Sequence, residues 1–231
     1  MIIDRIKVIA FDADDTLWVN EPYFRKAEED FCKLLKAYMN EEDCNSFLFN
    51  IEMKNLGLYG YGIKPFTLSL IEAALSISDE KIPNSVISEL IEIGKEMLQK
   101  PIELLDGIEE TLKFLSKKYK LVVATKGDLL DQERKLIKSG LEGYFHHIEV
   151  MSDKRPKQYQ KLVSHLDILP EEFLMIGNSL KSDILPVLEI GAHAFHIPFH
   201  TTWAHEHIEE EITHPRFKEL KVASEIDDYL L

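Results

Sequence analysis

The sequence predicts an α/β fold: a parallel sheet with helices on both faces, interrupted after its first strand by an inserted block of helices. Three observations predict it. From residue 107 onward, short apolar runs rich in β-branched residues alternate with helical patterns. One similar run, Ile6–Phe11, stands alone near the start. Between them, residues 21 to 99 carry helical periodicity and no strand signal. Strands that alternate with helices pair in parallel, because each helix carries the chain back to begin the next strand in the same direction.

The elements follow in order. Ile6-Lys7-Val8-Ile9-Ala10-Phe11 is nearly continuous in apolar character, as a strand buried on both faces must be, and it ends abruptly in Asp12-Ala13-Asp14-Asp15-Thr16. Phe24, Ala27, Phe31, Leu34, Leu35 and Tyr38 then recur at helical spacing, as do Phe66, Leu70, Ala73, Ala74 and Ile77. Another helix runs from Pro83 through Ile87, Leu90, Ile91 and Ile93. Leu56-Gly57-Leu58-Tyr59-Gly60-Tyr61-Gly62 reads as a glycine-rich aromatic loop. After Pro101 come helix 107–117, strand 120–125, helix 129–139 with Gly140 as its stop, and strand 147–151. Helix 156–166, strand 173–177, helix 182–190 with Gly191 as its stop, and strand 194–197 complete the series. Residues 1–19 and 100–231 are thus expected to form the core domain, and residues 20–99 a helical cap inserted above the carboxyl edge of the sheet.

Composition narrows the function. The 231 residues carry 27 Lys and Arg against 41 Asp and Glu, a formal charge of −14, and 45% are apolar. That is enough apolar side chain for a packed core. The charge argues against a nucleic acid polymer or an anionic membrane as partner, since both need a basic face. The first residues break their apolar stretch too early for a signal peptide, and no run of about 18 apolar residues could span a bilayer. Cys32 and Cys44 stand at no metal-ligand spacing and read as reduced thiols. A cytoplasmic protein, monomer or homodimer, is the expectation.

The chemistry is expected where strands of a parallel sheet end. Strand ends supply Asp12, Asp14 and Asp15, then Thr125, then Asp153-Lys154-Arg155, then Gly177-Asn178-Ser179 with Asp183 close behind. A carboxylate pair, a hydroxyl, a cation and a further oxygen cluster suit a hard cation such as Mg²⁺ together with a phosphoryl group. Several of these residues have ordinary readings as well. The acids could form a solvated turn, Thr125 an N-cap before Asp128, and Lys157 competes with Lys154. Asp15 fits a tight left-handed turn without chemical duty.

Taken together, these residues resemble the haloacid dehalogenase-like (HAD) superfamily in its phosphatase form. Asp12-Ala13-Asp14-Asp15-Thr16 matches the DxDxT signature, Thr125 the second motif, Lys154 ahead of Pro156 and Tyr159 the third, and 177–183 the fourth, acidic motif. The resemblance implies a Rossmann-like core with a C1-type helical cap. It also implies a Mg²⁺-dependent phosphomonoester hydrolase acting on a small phosphorylated metabolite through an aspartyl-phosphate. In that scheme Asp12 is the nucleophile and Asp14 the general acid and base. Thr125 grips the phosphate, and Lys154 holds Asp12 and the phosphoryl oxygens. Asp12, the Asp14 carbonyl and Asn178 ligate the metal, with Asp183 behind them. Asn178 departs from the family's usual Asp and brings no charge to the metal.

Weaker candidates for the substrate rim are Trp18, Lys126, Tyr61, His200 and Trp203. The His-rich stretch 196–207 matches no zinc spacing, and a solvated loop is its plainer reading. The Tyr59–Tyr61 segment reads equally as a helix–helix turn. Alternatives within the superfamily are a phosphomutase or a haloacid dehalogenase. Asp14 speaks against the second, because halide needs no protonation. A catalytically weak binding protein on the same fold is the alternative from another class.

Overall fold

The computed structural model describes residue 3, residues 5–209 and residues 211–230. Its strands are β1 (Val8–Phe11), β2 (Lys120–Lys126), β3 (His147–Met151), β4 (Phe173–Gly177), β5 (His193–His196) and β6 (Phe217–Glu219). Its α-helices are α1 (Glu21–Leu35), α2 (Glu41–Tyr59), α3 (Ile63–Ile77), α4 (Asn84–Gln99), α5 (Ile108–Leu115), α6 (Leu129–Ser139), α7 (Pro156–His165) and α8 (Leu185–Glu189). The described residues form a six-stranded sheet in the order β3-β2-β1-β4-β5-β6, and every pairing is parallel.

The chain moves outward from β1 twice, first through β2 to β3, then through β4 and β5 to β6. The carboxyl end of β1 is therefore the point where the strand order reverses, the place where sites form in open parallel sheets. Register sharpens this. Phe11 lies opposite both Val123 and Ile176. Asp12, Ala124 and Gly177 are thus the next residues at one level of the sheet.

The central strands feed two apolar layers by strict alternation. Ile9 and Phe11, Leu121 and Val123, Leu174 and Ile176 point to one face, where α5 supplies Ile108, Leu112 and Leu115. Val8 and Ala10, Val122 and Ala124, Phe173 and Met175 point to the other, where α7 supplies Tyr159, Leu162 and Val163. This explains why these strands read as continuous apolar runs: burial on both faces leaves no polar position. Each fully buried Leu or Phe contributes roughly 1.5–3 kcal/mol.

The chain divides into two compact units. One is Met1–Glu21, Ile102–Lys126 and Gln132–Leu231; the other is Pro22–Pro101 with Gly127–Asp131. The helical unit is offset by two residues from the expected 20–99 insertion and takes in a second segment. The short segment after β2 joins the helical unit, where Lys64 Nζ meets Asp128 Oδ1 at 2.7 Å. Inside that unit α3 packs against both α2 and α4 and buries Phe66, Leu70, Ala73 and Ala74. A Cβ on Gly94 of α4 would stand 2.2 Å from Thr67 Oγ1, so glycine is what lets α4 approach α3 this closely.

Three elements differ from the expectation. Helix α2 had no counterpart, because only Cys44, Leu48 and Asn55 of its 19 residues are buried and no apolar stripe marks it. It also absorbs the first part of the expected aromatic loop. The helix runs through Tyr59, and Gly60, at φ 77°, ends it with its N–H on the Leu56 carbonyl. The expected helix at 182–190 is instead a wide π-type turn at Leu180–Ile184 followed by the short α8. The edge strand β6, three residues long and partly exposed, carried no readable pattern.

Among the described residues, no helix is long and apolar enough to cross a membrane. Cys32 and Cys44 are buried and unpaired by disulfide, and burial pushes both thiols up, away from reactivity.

Candidate active site

Asp12 follows β1 directly, and its backbone N–H donates to the Ile176 carbonyl at 2.8 Å. The ladder therefore continues one residue past β1 and places Asp12 at the carboxyl edge of the sheet. Lys154 Nζ donates to Asp12 Oδ1 and, at 2.6 Å, to Asp183 Oδ1. All three side chains are buried, Lys154 and Asp183 almost completely. Burial pushes the Asp12 carboxyl up to about 7; the Lys154 ammonium opposes that rise, while Asp183 and Asp14 add to it. Burial works against the Lys154 charge, but the two carboxylates outweigh it and hold the ammonium above the usual lysine range. Lys157, the competing lysine, is exposed.

Asp183 is held from two sides, since its Oδ2 accepts the Ser179 N–H at 3.0 Å. The close approach depends on Gly177, where a Cβ would stand 2.3 Å from Asp183 Cγ. Asp183 thus serves as an anchor for Lys154.

Asp14 is about a quarter exposed and is gripped by three donors. Trp18 Nε1 reaches its Oδ1 at 2.8 Å, Lys135 Nζ the same oxygen at 2.5 Å, and Gln132 Nε2 its Oδ2 at 2.8 Å. Gln132 and Lys135 escaped the sequence reading. They lie one turn apart on α6, a spacing that any amphipathic surface helix shows, so no signal marked them. Trp18 needs correcting: the indole is fully buried and its N–H is spent on Asp14, so it stands behind the acid and not on a substrate rim.

Two of the oxygens expected to bind metal, those of Asp12 and Asn178, meet at Thr16. Its Oγ1 lies 3.4 Å from Asp12 Oδ2 and 3.2 Å from Asn178 Oδ1. One hydroxyl proton is shared between the two, which holds a carboxylate oxygen and an amide oxygen side by side. His196 Nε2 meets the Asn178 carbonyl at 3.0 Å and steadies that residue. Among the described residues, no three His, Cys, Asp or Glu side chains are grouped to hold a metal. The set here is of another composition, one carboxylate oxygen and one amide oxygen joined through the Thr16 hydroxyl. Asp15 takes the left-handed turn at φ 61°, and its carboxylate accepts the N–H groups of Asn20 and Glu21, capping α1.

Thr125 is almost fully buried; its Oγ1 lies 3.1 Å from the Lys126 carbonyl and 3.4 Å from Gln132 Nε2. The N-cap reading of Thr125 gives way: the Asp131 N–H bonds Asp128 Oδ1 instead, at 3.1 Å. Lys126 Nζ reaches Glu206 Oε1 at 2.5 Å and Ser182 Oγ at 2.9 Å, so its charge is directed inward along the core. Glu206 also accepts from Ser179 and Ser182. These donors and the Lys126 charge outweigh burial and hold its carboxyl down at about 2. Glu206 is the anchor of the His-rich segment, and the sequence reading looked past it to the histidines. Trp203 is half-buried with its ring against His205, and His200 is exposed beside Phe199. Tyr61 is half-buried in the short Gly60–Gly62 connection of the helical unit, while its neighbour Tyr59 is spent on Glu72 Oε1.

Paired acids at the switch point of a parallel sheet, a lysine bridging two buried carboxylates and Asp183 after β4 make up the candidate site. The haloacid dehalogenase-like hydrolase family model matches residues 6–191, and the chain belongs to that family. Its sequence is 26% identical over 193 residues to a glyceraldehyde 3-phosphate phosphatase of Pyrococcus furiosus, covering 81% of this chain and 78% of that one. The fold is similar to a haloacid dehalogenase-like hydrolase of Xanthomonas campestris, with 39% identity, a TM-score of 0.86, and coverage of 96% of this chain and 88% of that one. A HAD phosphatase of Thermococcus onnurineus shares the fold at 20% identity and a TM-score of 0.63, over 96% and 97% of the two chains.

Proposed function

We propose that the protein hydrolyses phosphomonoesters of small metabolites, with Asp12 as nucleophile, Asp14 as acid and base, and Mg²⁺ as cofactor. The observation that carries this reading is the pairing of two carboxylates with different duties two residues apart. Asp12 is buried and held by Lys154, and Asp14 is partly exposed and held by its own separate donors. The glyceraldehyde 3-phosphate phosphatase relative supports a small phosphorylated substrate.

In the first step an Asp12 oxygen attacks phosphorus while the bond from phosphorus to the leaving oxygen breaks. Asp14, as the acid, gives its proton to that departing oxygen. The product is an alcohol and a phosphoryl group on Asp12. In the second step Asp14, now a carboxylate, takes a proton from water as the water attacks phosphorus, and Asp12 leaves as a free carboxylate. Lys154, the Thr125 hydroxyl and backbone N–H groups at the strand ends stabilise the charge gathering on the phosphoryl oxygens. Asp12, Asn178 and the Asp14 carbonyl would hold Mg²⁺, which would neutralise charge between nucleophile and phosphate. The donor set fits that ion, because hard oxygens lie together and one ammonium is shared by two buried acids. Asp14 disfavours the dehalogenase reading, since a departing halide needs no proton.

The test is turnover of p-nitrophenyl phosphate with and without Mg²⁺, in the parent and in Asp12→Asn, followed by a panel of phosphorylated metabolites. Mg²⁺-dependent turnover that disappears in Asp12→Asn supports the reading. No turnover across the panel, or turnover that survives Asp12→Asn, overturns it.

A further inference from the structure

We propose that Gln132 and Lys135 are positioning residues that aim the Asp14 carboxyl for proton transfer, an inference that rests on the assignment of Asp14 as acid and base. Asp14 sits in a loop outside the ladder, so nothing in the sheet fixes its side chain. Besides the Trp18 indole, the groups that orient it come from one face of α6. Lys135 Nζ bridges Asp14 Oδ1 at 2.5 Å and Asn20 Oδ1 at 3.1 Å, spanning the loop that bears the acid. Its side chain is only 11% exposed, so it is no ordinary surface lysine.

Gln132 carries the argument further. Its Nε2 donates to Asp14 Oδ2 and to the Lys126 carbonyl, both at 2.8 Å, and lies 3.4 Å from Thr125 Oγ1. Three acceptors around one nitrogen fix the orientation of the amide. The same geometry leaves Gln132 Oε1 buried with no partner. A glutamine serving only as packing would be better replaced by an apolar residue, because a buried unpaired carbonyl costs stability. The residue gains instead a rigid link between the acid on the β1 loop and the end of β2, where Thr125 stands. Misplacing a proton donor by about 1 Å can cost on the order of 100-fold in rate.

The experiment is a double-mutant cycle on the full chain, read as turnover of p-nitrophenyl phosphate with Mg²⁺. Gln132→Met and Lys135→Met are each made alone and in the Asp14→Asn background. The expected result is that each single variant lowers kcat by roughly 10- to 100-fold with KM changed by less than about threefold. In the Asp14→Asn background the same substitutions cost almost nothing, because a residue that acts through Asp14 has nothing left to aim. Losses that add in full to that of Asp14→Asn, or an unchanged kcat in either single variant, overturn the proposal. If Lys135→Met does not fold, as a thermal melt would reveal, the Gln132→Met cycle decides. A parent without turnover, or an unaffected Asp14→Asn, would instead count against the assignment of Asp14 itself.

Discussion

Lys154 Nζ donates to Asp12 Oδ1 and Asp183 Oδ1 at once, so a single ammonium serves two buried carboxylates. The cluster is one positive charge short of neutrality, which suits a divalent cation; burial raises the Asp12 carboxyl, and the neighbouring Asp183 adds to that rise. The same arrangement fixes the direction of the Asp12 carboxylate, which an in-line attack requires.

Removing the shared ammonium leaves two buried acids facing each other. Lys154→Met should lower stability by about 3–5 kcal/mol at neutral pH, as breaking a buried ion pair does. Turnover of p-nitrophenyl phosphate should fall by at least ~100-fold. Urea unfolding followed by far-UV circular dichroism, with a parallel assay, checks both. A variant as stable and as active as the parent would contradict the account.

Gly177 is where the backbone meets Asp183. In Gly177→Ala the new methyl would stand 2.3 Å from Asp183 Cγ, so the carboxylate has to leave Lys154 or the loop has to shift. A loss of roughly 1–3 kcal/mol is expected from such overpacking, together with reduced kcat. Thermal unfolding should show a Tm lower by several degrees; an unmoved Tm would mean the loop yields freely.

Glu206 supplies a pH dependence whose sign is fixed. Its carboxyl is held down at about 2, against an ordinary value of 4.5. The unfolded chain therefore binds the extra proton first as pH falls, so this stabilisation is complete above about 4.5 and is lost between 4.5 and 2. Glu206→Gln should cost about 3 kcal/mol at pH 7 by removing the carboxylate that pairs with the Lys126 charge. The difference from the parent should shrink as pH drops below 4.5. Urea midpoints at pH 7 and pH 3 test this, and an equal gap at both would refute it.

Asn178 sets the charge of the proposed metal site. Asn178→Asp adds one carboxylate beside Asp12 and should lower the Mg²⁺ concentration for half-maximal turnover by on the order of tenfold. A Mg²⁺ titration of activity that superimposes on the parent's would show that the amide oxygen is not a ligand.

What could be read in the chain was whatever burial or strand-end chemistry writes locally. β1, β2 and β4 were legible because a strand covered on both faces can hold only apolar residues. Asp12, Asp14, Thr125, Lys154, Asn178 and Asp183 were legible as polar residues placed where such strands stop. Helix α2 was not, because it buries too few side chains to leave a stripe, and β6 was too short to show alternation.

The partners of the site residues lay beyond sequence altogether. Gln132 and Lys135 meet Asp14 across 118 and 121 positions, and Glu206 meets Lys126 across 80. Nothing local distinguishes such a glutamine, lysine or glutamate from one on any solvated face. The same holds for Trp18, whose large ring near a strand end suits a rim until packing buries it. By itself the sequence determined strands β1 to β5, the inserted block of helices and which side chains stand at the strand ends, because periodicity and abrupt polarity are properties of neighbouring residues. Only the tertiary structure decided which of those groups are held, shared and aimed, because hydrogen bonds between distant segments depend on register and burial that no local pattern records.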